Sequence, residues 1–474
     1  MTDPRPAALV VLAAGQGTRM RSAVPKVLHR LAGRSLLGHV LAAAAPLGAY
    51  RTLVVVGHER DQVAAELFAL DPEARPIDQA QQHGTGHATR LALEAIEVLH
   101  DDRPVVVVPG DTPLLTTGTL RALLDAHLAS GGAGAVLTET VADPTGYGRI
   151  VRAVDGSIAA IVEERDADSG TKAIHEVNAG VYVFTAGPLV QALGKLSRGN
   201  SQGEEYLTDT VGVLRDQDLT VVGVPAEVAG ETGGVNDRVQ LAAAGAALNA
   251  RLLDAHMRAG VTVHDPATTW VDSDVVLEAD VELLPGTILR GRTVVQRGAV
   301  VGPDSNLADT VVRPGAHVQA STCTGAEIGE GASVGPYSYL RPGAKLGRNS
   351  KVGAFVEVKA STIGDESKVP HLSYIGDATI GQRTNVGAAT VTANYDGTSK
   401  RRTVIGDDVH IGSDTMLVAP VTVGDGASTG AGAVIRADVP PGALAFSENT
   451  QRTIDDWAAG RDQRDTTKDE GDTA

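Results

Sequence analysis

A six-residue repeat of aliphatic residues runs through the second half of the chain and constrains its fold more than any other feature. From Ile328 to Ile435 the aliphatic positions recur in steps of six, with occasional steps of five. Glycine commonly follows the aliphatic residue, as in Leu346-Gly347 and Ile411-Gly412. This period is the sequence signature of a parallel β-helix. Because each strand is too short to fold alone, we expect the aliphatic side chains to stack into one continuous core.

The repeat predicts which side chains face that core, and one segment interrupts it. The predicted inward-facing residues are Ile288, Val294, Val300, Ile328, Val334, Leu340, Leu346, Val352, Val358, Ile363, Val369, Ile375, Ile380, Val386, Ile405, Ile411, Leu417, Val423 and Ile435. Residues 391–403 break the period, are polar and carry Lys400, Arg401 and Arg402. Since a solenoid offers few pockets by itself, such a loop is a reasonable place to seek function.

The first half of the chain has a different pattern. Short valine-rich runs at 10–15, 53–57 and 104–111 alternate with helical patterns at 35–45 and 86–99. Continuous apolar strands between helices are typical of a parallel sheet that is covered on both faces. The first half therefore predicts an α/β domain.

These patterns give a four-part organisation. We predict an α/β domain over 1–236 and, from its Ala- and Leu-rich composition, a linker helix over 237–258. The β-helix is predicted over 259–440 and a tail over 441–474, which we expect to be disordered from about residue 458 because it is almost entirely polar there.

Charge and cysteine content exclude several classes of partner. The net charge is −17, from 41 Lys and Arg against 58 Asp and Glu, so we expect no nucleic-acid partner. The apolar stretch 7–14 is far shorter than a membrane span, and Asp3 argues against a signal peptide, so we expect no membrane partner. The single cysteine, Cys323, excludes an intrachain disulfide and favours the cytoplasm. No histidine motif accompanies Cys323, which argues against a nucleophilic role.

A first group of residues indicates phosphate chemistry. The segment 12–20, LAAGQGTRM, places a glycine loop after a predicted strand, where backbone amides can face a phosphate. Arg19 and Lys26 bring two cations to this loop, and 79–88 adds a second polar Gly-Thr segment. Asp111 follows an apolar strand, where α/β sheets bind ligands and where a carboxylate can hold Mg²⁺.

A second group lies in the repeat. His371 follows Lys359 by twelve residues and Arg341 by thirty, and Tyr374 comes three residues later. One coil of a hexapeptide β-helix takes about 18 residues, so we expect these side chains on related walls. Together they predict a site on the β-helix.

The motifs of both halves resemble one family. The glycine loop with its following Pro25-Lys26 is similar to nucleotide-sugar pyrophosphorylases. With the hexapeptide half, roughly residues 8–457 resemble the bacterial bifunctional N-acetylglucosamine-1-phosphate uridyltransferases/glucosamine-1-phosphate acetyltransferases. The resemblance implies a Rossmann-like α/β domain, a left-handed β-helix, Mg²⁺ and a homotrimer. It implies acetyl transfer from acetyl-CoA to glucosamine-1-phosphate, then uridylyl transfer from UTP to N-acetylglucosamine-1-phosphate with release of pyrophosphate.

The resemblance also implies roles in uridylyl transfer. Arg19 and Lys26 would stabilise the triphosphate, and Asp111 and Asn236 would bind Mg²⁺. The remaining contacts to nucleotide, uracil and N-acetylglucosamine would come from Leu12, Ala13, Ala14, Gly15, Gln79, Gly84, Thr85, Gly146, Glu163 and Asn178.

For acetyl transfer the resemblance implies that His371 is the general base. Arg341 and Lys359 would hold the sugar phosphate, and Tyr374 and Asn385 the sugar. The acetyl-CoA site would be lined by Ala388, Asn394, Tyr395, Ser413 and Ala431. In a trimer the loop that carries Asn394 and Tyr395 would reach a neighbouring subunit, and Lys400 to Arg402 would steer the CoA phosphates.

Two other functions are also found with a hexapeptide β-helix. A hexapeptide-type carbonic anhydrase needs three histidines around zinc, but the histidines after residue 260 include no close pair. The remaining alternative is a single-function nucleotide-sugar pyrophosphorylase whose β-helix is only a scaffold. The group around His371 counts against this alternative.

Overall fold

The computed structural model describes residues 4–448 and 451–455. The chain divides into two compact units, and these comprise Met1–Ala259 with Trp270–Val275 and Leu289–Arg292, and Gly260–Thr269 with Val276–Ile288 and Thr293–Ala474. The domain limits drawn from the sequence stay a prediction. The tail predicted to be disordered from about residue 458 lies outside the described residues.

The first unit is built on a mixed β-sheet with helices on both faces. Its strands are β1 (Ala8–Leu12), β2 (Arg30–Leu31), β3 (Arg34–Ser35), β4 (Thr52–Val56), β5 (Arg75–Asp78), β6 (Pro104–Pro109), β7 (Gly134–Thr140), β8 (Arg149–Arg152), β9 (Ile158–Val162), β10 (Glu176–Thr185) and β11 (Val221–Pro225). Its helices are α1 (Leu36–Ala44), α2 (Arg60–Leu70), α3 (Thr85–Glu94), α4 (Thr117–Ser130), α5 (Ser169–Lys172), α6 (Ala186–Leu193), α7 (Asp209–Arg215) and α8 (Arg238–Arg258). Short 3₁₀ turns occupy Thr18–Met20, Lys26–Leu28 and Ala45–Leu47.

The strand order of this sheet brings the loops of interest to one edge. The order is β11-β7-β10-β6-β1-β4-β5, and β8 pairs with β10 and β9. Strand β1 is parallel to both β4 and β6, with Val10 opposite Leu53 and Val107. The valine runs of these strands are buried on both faces, which is why they read as continuous apolar segments. Because β1 and β6 are parallel neighbours, their carboxyl ends meet at the same edge.

The predicted helices are present, with small differences at their ends. Ser35 caps α1 by accepting a hydrogen bond from the Gly38 amide at 3.1 Å. Asp237 caps α8 in the same way, from Gln240 at 2.8 Å, and α8 matches the predicted linker helix closely. Helix α3 ends at Glu94, before its predicted end, because the following residues form the connection to β6. Within the described residues, no helix is long and apolar enough to cross a membrane.

Residues 262–445 form short strands that stack in parallel. These are β12 (Thr262–Val263), β13 (Trp270–Val271), β14 (Val276–Leu277), β15 (Glu282–Leu283), β16 (Ile288–Arg290), β17 (Val294–Val295), β18 (Val300–Val301), β19 (Asn306–Ala308), β20 (Val311–Val312), β21 (His317–Val318), β22 (Thr322–Thr324), β23 (Glu327–Ile328), β24 (Ser333–Val334), β25 (Tyr339–Leu340), β26 (Lys345–Leu346), β27 (Lys351–Ala354), β28 (Glu357–Lys359), β29 (Thr362–Ile363), β30 (Lys368–His371), β31 (Tyr374–Gly376), β32 (Ala378–Ile380), β33 (Asn385–Val386), β34 (Val391–Ala393), β35 (Thr403–Ile405), β36 (His410–Ile411), β37 (Met416–Val418), β38 (Val421–Val423), β39 (Ser428–Thr429), β40 (Val434–Ile435) and β41 (Leu444–Ala445).

Every third strand belongs to the same sheet, so the coils have three walls. The first wall runs from β12 through β30 to β39 and β41, the second from β13 through β31 to β40, and the third from β14 through β32 to β38. Paired strands are 16 to 25 residues apart along the chain, as in Cys323 opposite Leu340 and Val386 opposite Ile411. This architecture confirms the predicted parallel β-helix and is consistent with its left-handed form.

The predicted core positions are buried from Ile328 onwards but were wrong by one residue further upstream. Leu289, Val295 and Val301 have no exposed surface, whereas their predicted neighbours Ile288, Val294 and Val300 lie half-buried on the outer surface. Each of these strands begins with two adjacent aliphatic residues. Because successive strand residues face opposite sides, a pattern that fits both residues does not fix which one points inwards.

Cys323 is one of the inward-facing residues. It lies in β22 between Leu307 and Leu340 on the neighbouring coils and has no exposed surface. Burial raises the pKa of its thiol to about 12, so the thiolate is not formed near neutral pH. The structure thus agrees with a core residue rather than a nucleophile.

Candidate active sites

A cavity of about 430 Å³ opens at the carboxyl ends of β1 and β6 in the first unit. Most of the side chains predicted for uridylyl transfer lie around it. The predicted residues that line the cavity are Leu12, Ala13, Ala14, Gly15, Lys26, Gln79, Gly84, Thr85, Asp111, Glu163 and Asn178. They come from segments up to 166 positions apart, so their convergence is a property of the fold.

The glycine loop after β1 is shaped by its packing on Lys26. Gly17 adopts a left-handed conformation with φ of 60°, and a Cβ there would lie 2.6 Å from the Lys26 Cβ. A side chain at this position would therefore displace the cationic residue. Gly15 instead faces open space, because a Cβ there would meet no atom within 4 Å. Arg19 is exposed on the 3₁₀ turn that follows and does not line the cavity.

Lys26 links the two predicted metal ligands. Its ammonium group contacts the Asp111 carboxylate and lies 3.2 Å from the Asn236 amide oxygen. Two acceptor oxygens therefore converge on one point of positive charge. Carboxylate and amide oxygens suit a hard divalent cation, which commonly takes one or two protein carboxylates and completes its shell with water and phosphate. Asn236 does not itself line the cavity and reaches the site through Lys26.

The segment after β5 forms another side of the cavity. Gln79 is buried and donates from Nε2 to the Gly84 carbonyl at 3.0 Å, with His87 Nδ1 at 3.1 Å from the same nitrogen. Thr85 begins α3, and its hydroxyl accepts a hydrogen bond from the Leu207 amide at 3.0 Å. Gly84 has φ of 103°, and a Cβ there would lie 2.5 Å from the Glu205 carbonyl oxygen. Only glycine fits at this contact.

Glu163 and Asn178 belong to a polar network on strands β9 and β10. Asn178 donates to the Tyr182 hydroxyl at 2.6 Å and accepts from the Gly180 amide at 2.9 Å. Glu163 accepts from the Thr208 hydroxyl at 3.1 Å. Burial raises the pKa of the Glu163 carboxyl, and the Thr208 bond only partly opposes this. Gly146 lies outside the cavity lining, in a turn whose amide points towards Glu164 at 3.4 Å.

Several lining residues were missed from the sequence. Gln82 donates to the Ala14 carbonyl at 2.6 Å and so ties the second polar segment to the glycine loop. Its place in the polar run 79–88 was the available signal. Tyr182 and the segment 204–208 carry no glycine motif and no period. They reach the cavity through long-range packing, such as the 2.8 Å bond from the Gly86 amide to the Glu205 carbonyl.

On the β-helix, His371 heads a column of residues that we call the base column. It comprises His371, Ala388, Ser413 and Ala431, one from each successive coil at the corner after the first wall. Backbone hydrogen bonds connect these coils, from Ala389 to His371 at 3.3 Å, from Asp414 to Ala388 at 2.7 Å and from Gly432 to Ser413 at 2.8 Å. The predicted base is therefore aligned with three of the predicted acetyl-CoA contacts. The His371 side chain is exposed.

The opposite edge of the second wall carries a set that we call the lysine ridge: Arg341, Lys359, Asp377 and Asn394. Lys359 pairs with Asp377 at 2.8 Å, and Asn394 donates to the same carboxylate at 2.5 Å. The Asp377 bond raises the pKa of Lys359. Burial alone would raise the pKa of Asp377, but these two bonds outweigh burial and lower it. Arg341 pairs with Glu357 at 2.9 Å.

The other predicted acetyltransferase residues are placed differently. Tyr374 begins β31 on the second wall, between the base column and the lysine ridge, with its hydroxyl 3.5 Å from Asn394 Nδ2. Tyr395 is exposed and its hydroxyl donates to the Gly397 carbonyl at 2.6 Å. Asn385 is not brought to this group: it begins β33 beside Lys368, at the far edge of the first wall. Asp377 was missed from the sequence, where it is one of many corner residues.

The two units thus define an α/β nucleotidyltransferase joined to a hexapeptide-repeat β-helix. Residues 9–181 match the MobA-like NTP transferase domain, and residues 323–424 match the GMPPB C-terminal domain. The bifunctional protein GlmU of Streptomyces coelicolor is 56% identical over 97% of this chain and 95% of its own length. GlmU of Mycobacterium tuberculosis strain H37Ra is 53% identical over 96% and 93%. The chain therefore belongs to the GlmU family of bifunctional proteins.

A UDP-glucose pyrophosphorylase complexed with UDP-glucose aligns with a TM-score of 0.43 and 16% identity, over 52% of this chain and 99% of that chain.

Membership of the GlmU family confirms the predicted function. The chain is a bifunctional enzyme of UDP-N-acetylglucosamine synthesis, with uridyltransferase and glucosamine-1-phosphate acetyltransferase activities. The alternative of a single-function pyrophosphorylase with a scaffolding β-helix is set aside, because the identity extends over both halves.

Proposed function

We propose that the two activities are divided between the units. The cavity beside β1 and β6 would transfer uridylyl from UTP to N-acetylglucosamine-1-phosphate. The wall between the base column and the lysine ridge would transfer acetyl from acetyl-CoA to glucosamine-1-phosphate. The observation that carries the proposal is the convergence of Lys26 with Asp111 and Asn236, residues that are up to 210 positions apart, on one point at the strand ends.

In the uridylyl site the difficulty is electrostatic. An oxygen of the sugar phosphate would attack the α-phosphorus of UTP, and pyrophosphate would leave. The attacking oxygen is already anionic, so no general base is required. Lys26 and the backbone amides of the glycine loop would offset the negative charge, with Arg19 approaching from its exposed turn. Such preorganised charge is often the largest contribution to catalysis.

We propose Mg²⁺ as the cofactor of this site. Asp111 and Asn236 would hold it, since their oxygens already converge on the Lys26 ammonium. When bound, Mg²⁺ would supply Lewis-acid stabilisation of phosphate oxygens. The contacts to the base would come from Gln79, Gly84 and Thr85, and those to the sugar from Glu163 and Asn178, with Gly146 contributing only if its turn moves towards the cavity.

In the acetyl site His371 would act as the general base. It would remove a proton from the glucosamine amine as the nitrogen attacks the thioester carbonyl, and CoA would leave as its thiolate. Histidine is the side chain that most often serves as a general base in enzymes, which suits this role. The charged Lys359 and Arg341 would hold the sugar phosphate. Ala388, Ser413 and Ala431 would form a shallow track for the CoA chain, because their small side chains leave the corner open.

We also propose that the enzyme is a cytoplasmic homotrimer. Tyr337, Phe355 and Leu372 are 59 to 64% exposed at the corner beside His371, and the rings of Tyr337 and Phe355 stack with centroids 5.4 Å apart. Such a contiguous apolar surface marks an interaction site. A neighbouring copy would cover it and would bring to each acetyl site its Asn385 and its residues 391–403, which we call the excursion loop. UTP and acetyl-CoA are cytoplasmic metabolites, which supports that location.

The test is one mixture of glucosamine-1-phosphate, acetyl-CoA, UTP and Mg²⁺, in which free CoA thiol and pyrophosphate are followed separately. We expect both products, with pyrophosphate dependent on acetyl-CoA. Asp111→Ala should stop pyrophosphate release and spare thiol release, while His371→Ala should stop thiol release. Pyrophosphate formation by His371→Ala should return when N-acetylglucosamine-1-phosphate is supplied. Loss of thiol release in Asp111→Ala, or no pyrophosphate from His371→Ala when N-acetylglucosamine-1-phosphate is supplied, would refute the division.

Chelation tests which of the two activities requires a metal ion. Excess EDTA should abolish pyrophosphate release and leave acetyl transfer unchanged, and added Mg²⁺ should restore it. Restoration by Mn²⁺ but not by Mg²⁺ would refute the choice of cofactor.

A further inference from the structure

The amide of Gln79 is held in one orientation by its neighbours. The side chain is 4% exposed and lines the cavity. Its nitrogen Nε2 lies 3.0 Å from the Gly84 carbonyl oxygen. A carbonyl oxygen can only accept a hydrogen bond, so the group of Gln79 that faces it has to be the NH₂. A flipped amide would set two acceptor oxygens against each other.

His87 accepts the second hydrogen bond that this NH₂ group can donate. Its Nδ1 lies 3.1 Å from the same Gln79 nitrogen. To accept this bond, the imidazole must be neutral and carry its proton on Nε2. Both amide protons of Gln79 are then used within the protein. Among the described residues none donates to Gln79 Oε1, so this oxygen is the hydrogen-bonding atom that the side chain has left for a ligand in the cavity.

We propose that His87 is a positioning residue that, with Gly84, fixes the Gln79 carboxamide oxygen as an acceptor towards the base and so selects uracil over cytosine. The inference rests on the proposed role of Gln79 in the base site. Uracil presents an N3–H donor where cytosine presents a bare N3 acceptor. A fixed acceptor therefore attracts uracil and repels cytosine, whereas an amide free to rotate would accommodate either base.

The groups around His87 keep it neutral near pH 7. Arg90 lies on the same helix, His83 on the preceding loop with its ring centroid 5.2 Å away, and Arg198 and Glu205 on the segment after α6. Burial lowers the pKa of His87, Arg90 lowers it further and Glu205 opposes them. When the pH falls through this lowered pKa, Nδ1 gains a proton and faces the Gln79 NH₂ as a second donor. The preference for UTP should therefore decline on the acid side.

The test compares kcat/KM for UTP and for CTP, with N-acetylglucosamine-1-phosphate as acceptor, in three forms of the full chain. His87→Phe keeps a ring but removes the acceptor. We expect its UTP-to-CTP ratio to fall by about 10-fold, the effect of one hydrogen bond at the upper end of measured values, with a raised KM for UTP. His87→Asn can still accept through Oδ1 and should keep the ratio within about 2-fold. Acetyl transfer by the same samples reports that each variant is folded.

The pH dependence of the UTP-to-CTP ratio provides a second, independent test of the role of His87. In the unmodified chain the UTP-to-CTP ratio should fall between pH 7 and pH 5, whereas in His87→Asn it should stay flat. If His87→Phe does not fold, the comparison between the unmodified chain and His87→Asn tests the inference without it. An unchanged ratio in His87→Phe, or the same pH profile in the unmodified chain and His87→Asn, would overturn the inference.

The variant Gln79→Leu distinguishes a failure of this inference from a failure of the proposed base site. If Gln79→Leu raises the KM for UTP while His87→Phe leaves the ratio unchanged, the base site holds and the role of His87 is wrong. If Gln79→Leu leaves the KM for UTP unchanged, the proposed base site is wrong and the inference falls with it.

Discussion

At the scale of single residues, Lys26 shows how one charge organises the proposed uridylyl site. Its stem packs against Gly17 of the glycine loop, and its ammonium group joins Asp111 to Asn236. The side chain is largely buried, at 14% exposure, so its charge acts where solvent screens it weakly. Lys26 therefore connects the loop that would face the phosphates with the oxygens that would hold the metal.

The first prediction concerns this charge. Lys26→Met keeps the length of the side chain and removes the ammonium group. We expect kcat for pyrophosphate release to fall by about 10²–10³-fold, as for other preorganised charges in active sites, with acetyl transfer unchanged. Arg121→Met, at a half-buried arginine of α4 outside the cavity lining, is the control and should leave both rates unchanged. A Lys26→Met enzyme with more than about a tenth of the native uridylyl rate would contradict the assignment.

The second prediction follows from the buried Glu163. Burial raises its pKa in the folded chain, so the folded state holds the proton more tightly than the unfolded state. The stability contributed by this group is therefore highest at low pH and is lost as the pH rises through the raised pKa. Glu163→Gln should melt higher than the native chain at pH 8, and the difference should shrink towards pH 4. A constant difference, measured by circular dichroism, would contradict this cause.

At the scale of elements, the coils of the β-helix are set by backbone contacts that allow no side chain. Gly353 lies in β27, and a Cβ there would lie 2.0 Å from the Pro370 carbonyl oxygen on the next coil. Pro370 directly precedes His371 in β30. The position of the proposed base therefore depends on a close approach between two coils, which only glycine permits.

The third prediction tests this contact. Gly353→Ala should lower the free energy of unfolding by about 1–3 kcal/mol, the usual cost of overpacking, and should reduce acetyl transfer more than uridylyl transfer. Gly212→Ala is the matched control, because its Cβ would meet nothing within 4 Å and it lies inside α7. That substitution should be neutral or stabilise the chain by up to about 1 kcal/mol. Equal melting temperatures for both variants would show that the coils can shift.

The excursion loop gives the fourth prediction. Asp396 accepts hydrogen bonds from the amides of Ser399 and Thr398 and from the Thr398 hydroxyl, which lowers its pKa to about 2. Asp396→Ala removes these bonds and should loosen the loop. We expect the KM for acetyl-CoA to rise by about 5–10-fold, the effect of losing one or two hydrogen bonds, with uridylyl kinetics unchanged. An unchanged KM would mean that the loop does not contact the CoA chain.

The elements also show what the sequence could and could not predict. The period gave the inward residues from Ile328 onwards, where in most repeats a single aliphatic residue marks the strand, as in Leu346 and Val352. It failed at Val294-Val295, because two adjacent aliphatics leave the facing residue undetermined. In the first unit, motifs predicted the loops at strand ends. The segment 204–208 has no motif and was missed, since only long-range packing on α3 brings it to the cavity.

At the scale of the whole molecule, the two proposed sites differ in whether they require a second copy of the chain. The residues that line the proposed uridylyl cavity all belong to the first unit. The proposed acetyl site is open: the base column and Asn385 lie at different edges of the first wall, and Tyr337, Phe355 and Leu372 are exposed beside it. A second copy would complete the acetyl site, so assembly should control one activity and not the other.

The last prediction tests this dependence. Phe355→Asp places a charge in the exposed apolar surface, and the cost of burying that charge should oppose assembly. Light scattering should report a trimer for the native chain and a monomer for the variant. Acetyl transfer should fall by about 100-fold or more, as expected when reacting groups lose their alignment, while uridylyl transfer stays within about 2-fold. Val404→Asp, on the exposed face of the third wall, is the matched control and should keep both the trimer and both activities. A Phe355→Asp chain that remains trimeric, or a monomer that still transfers acetyl groups at the native rate, would contradict a shared acetyl site.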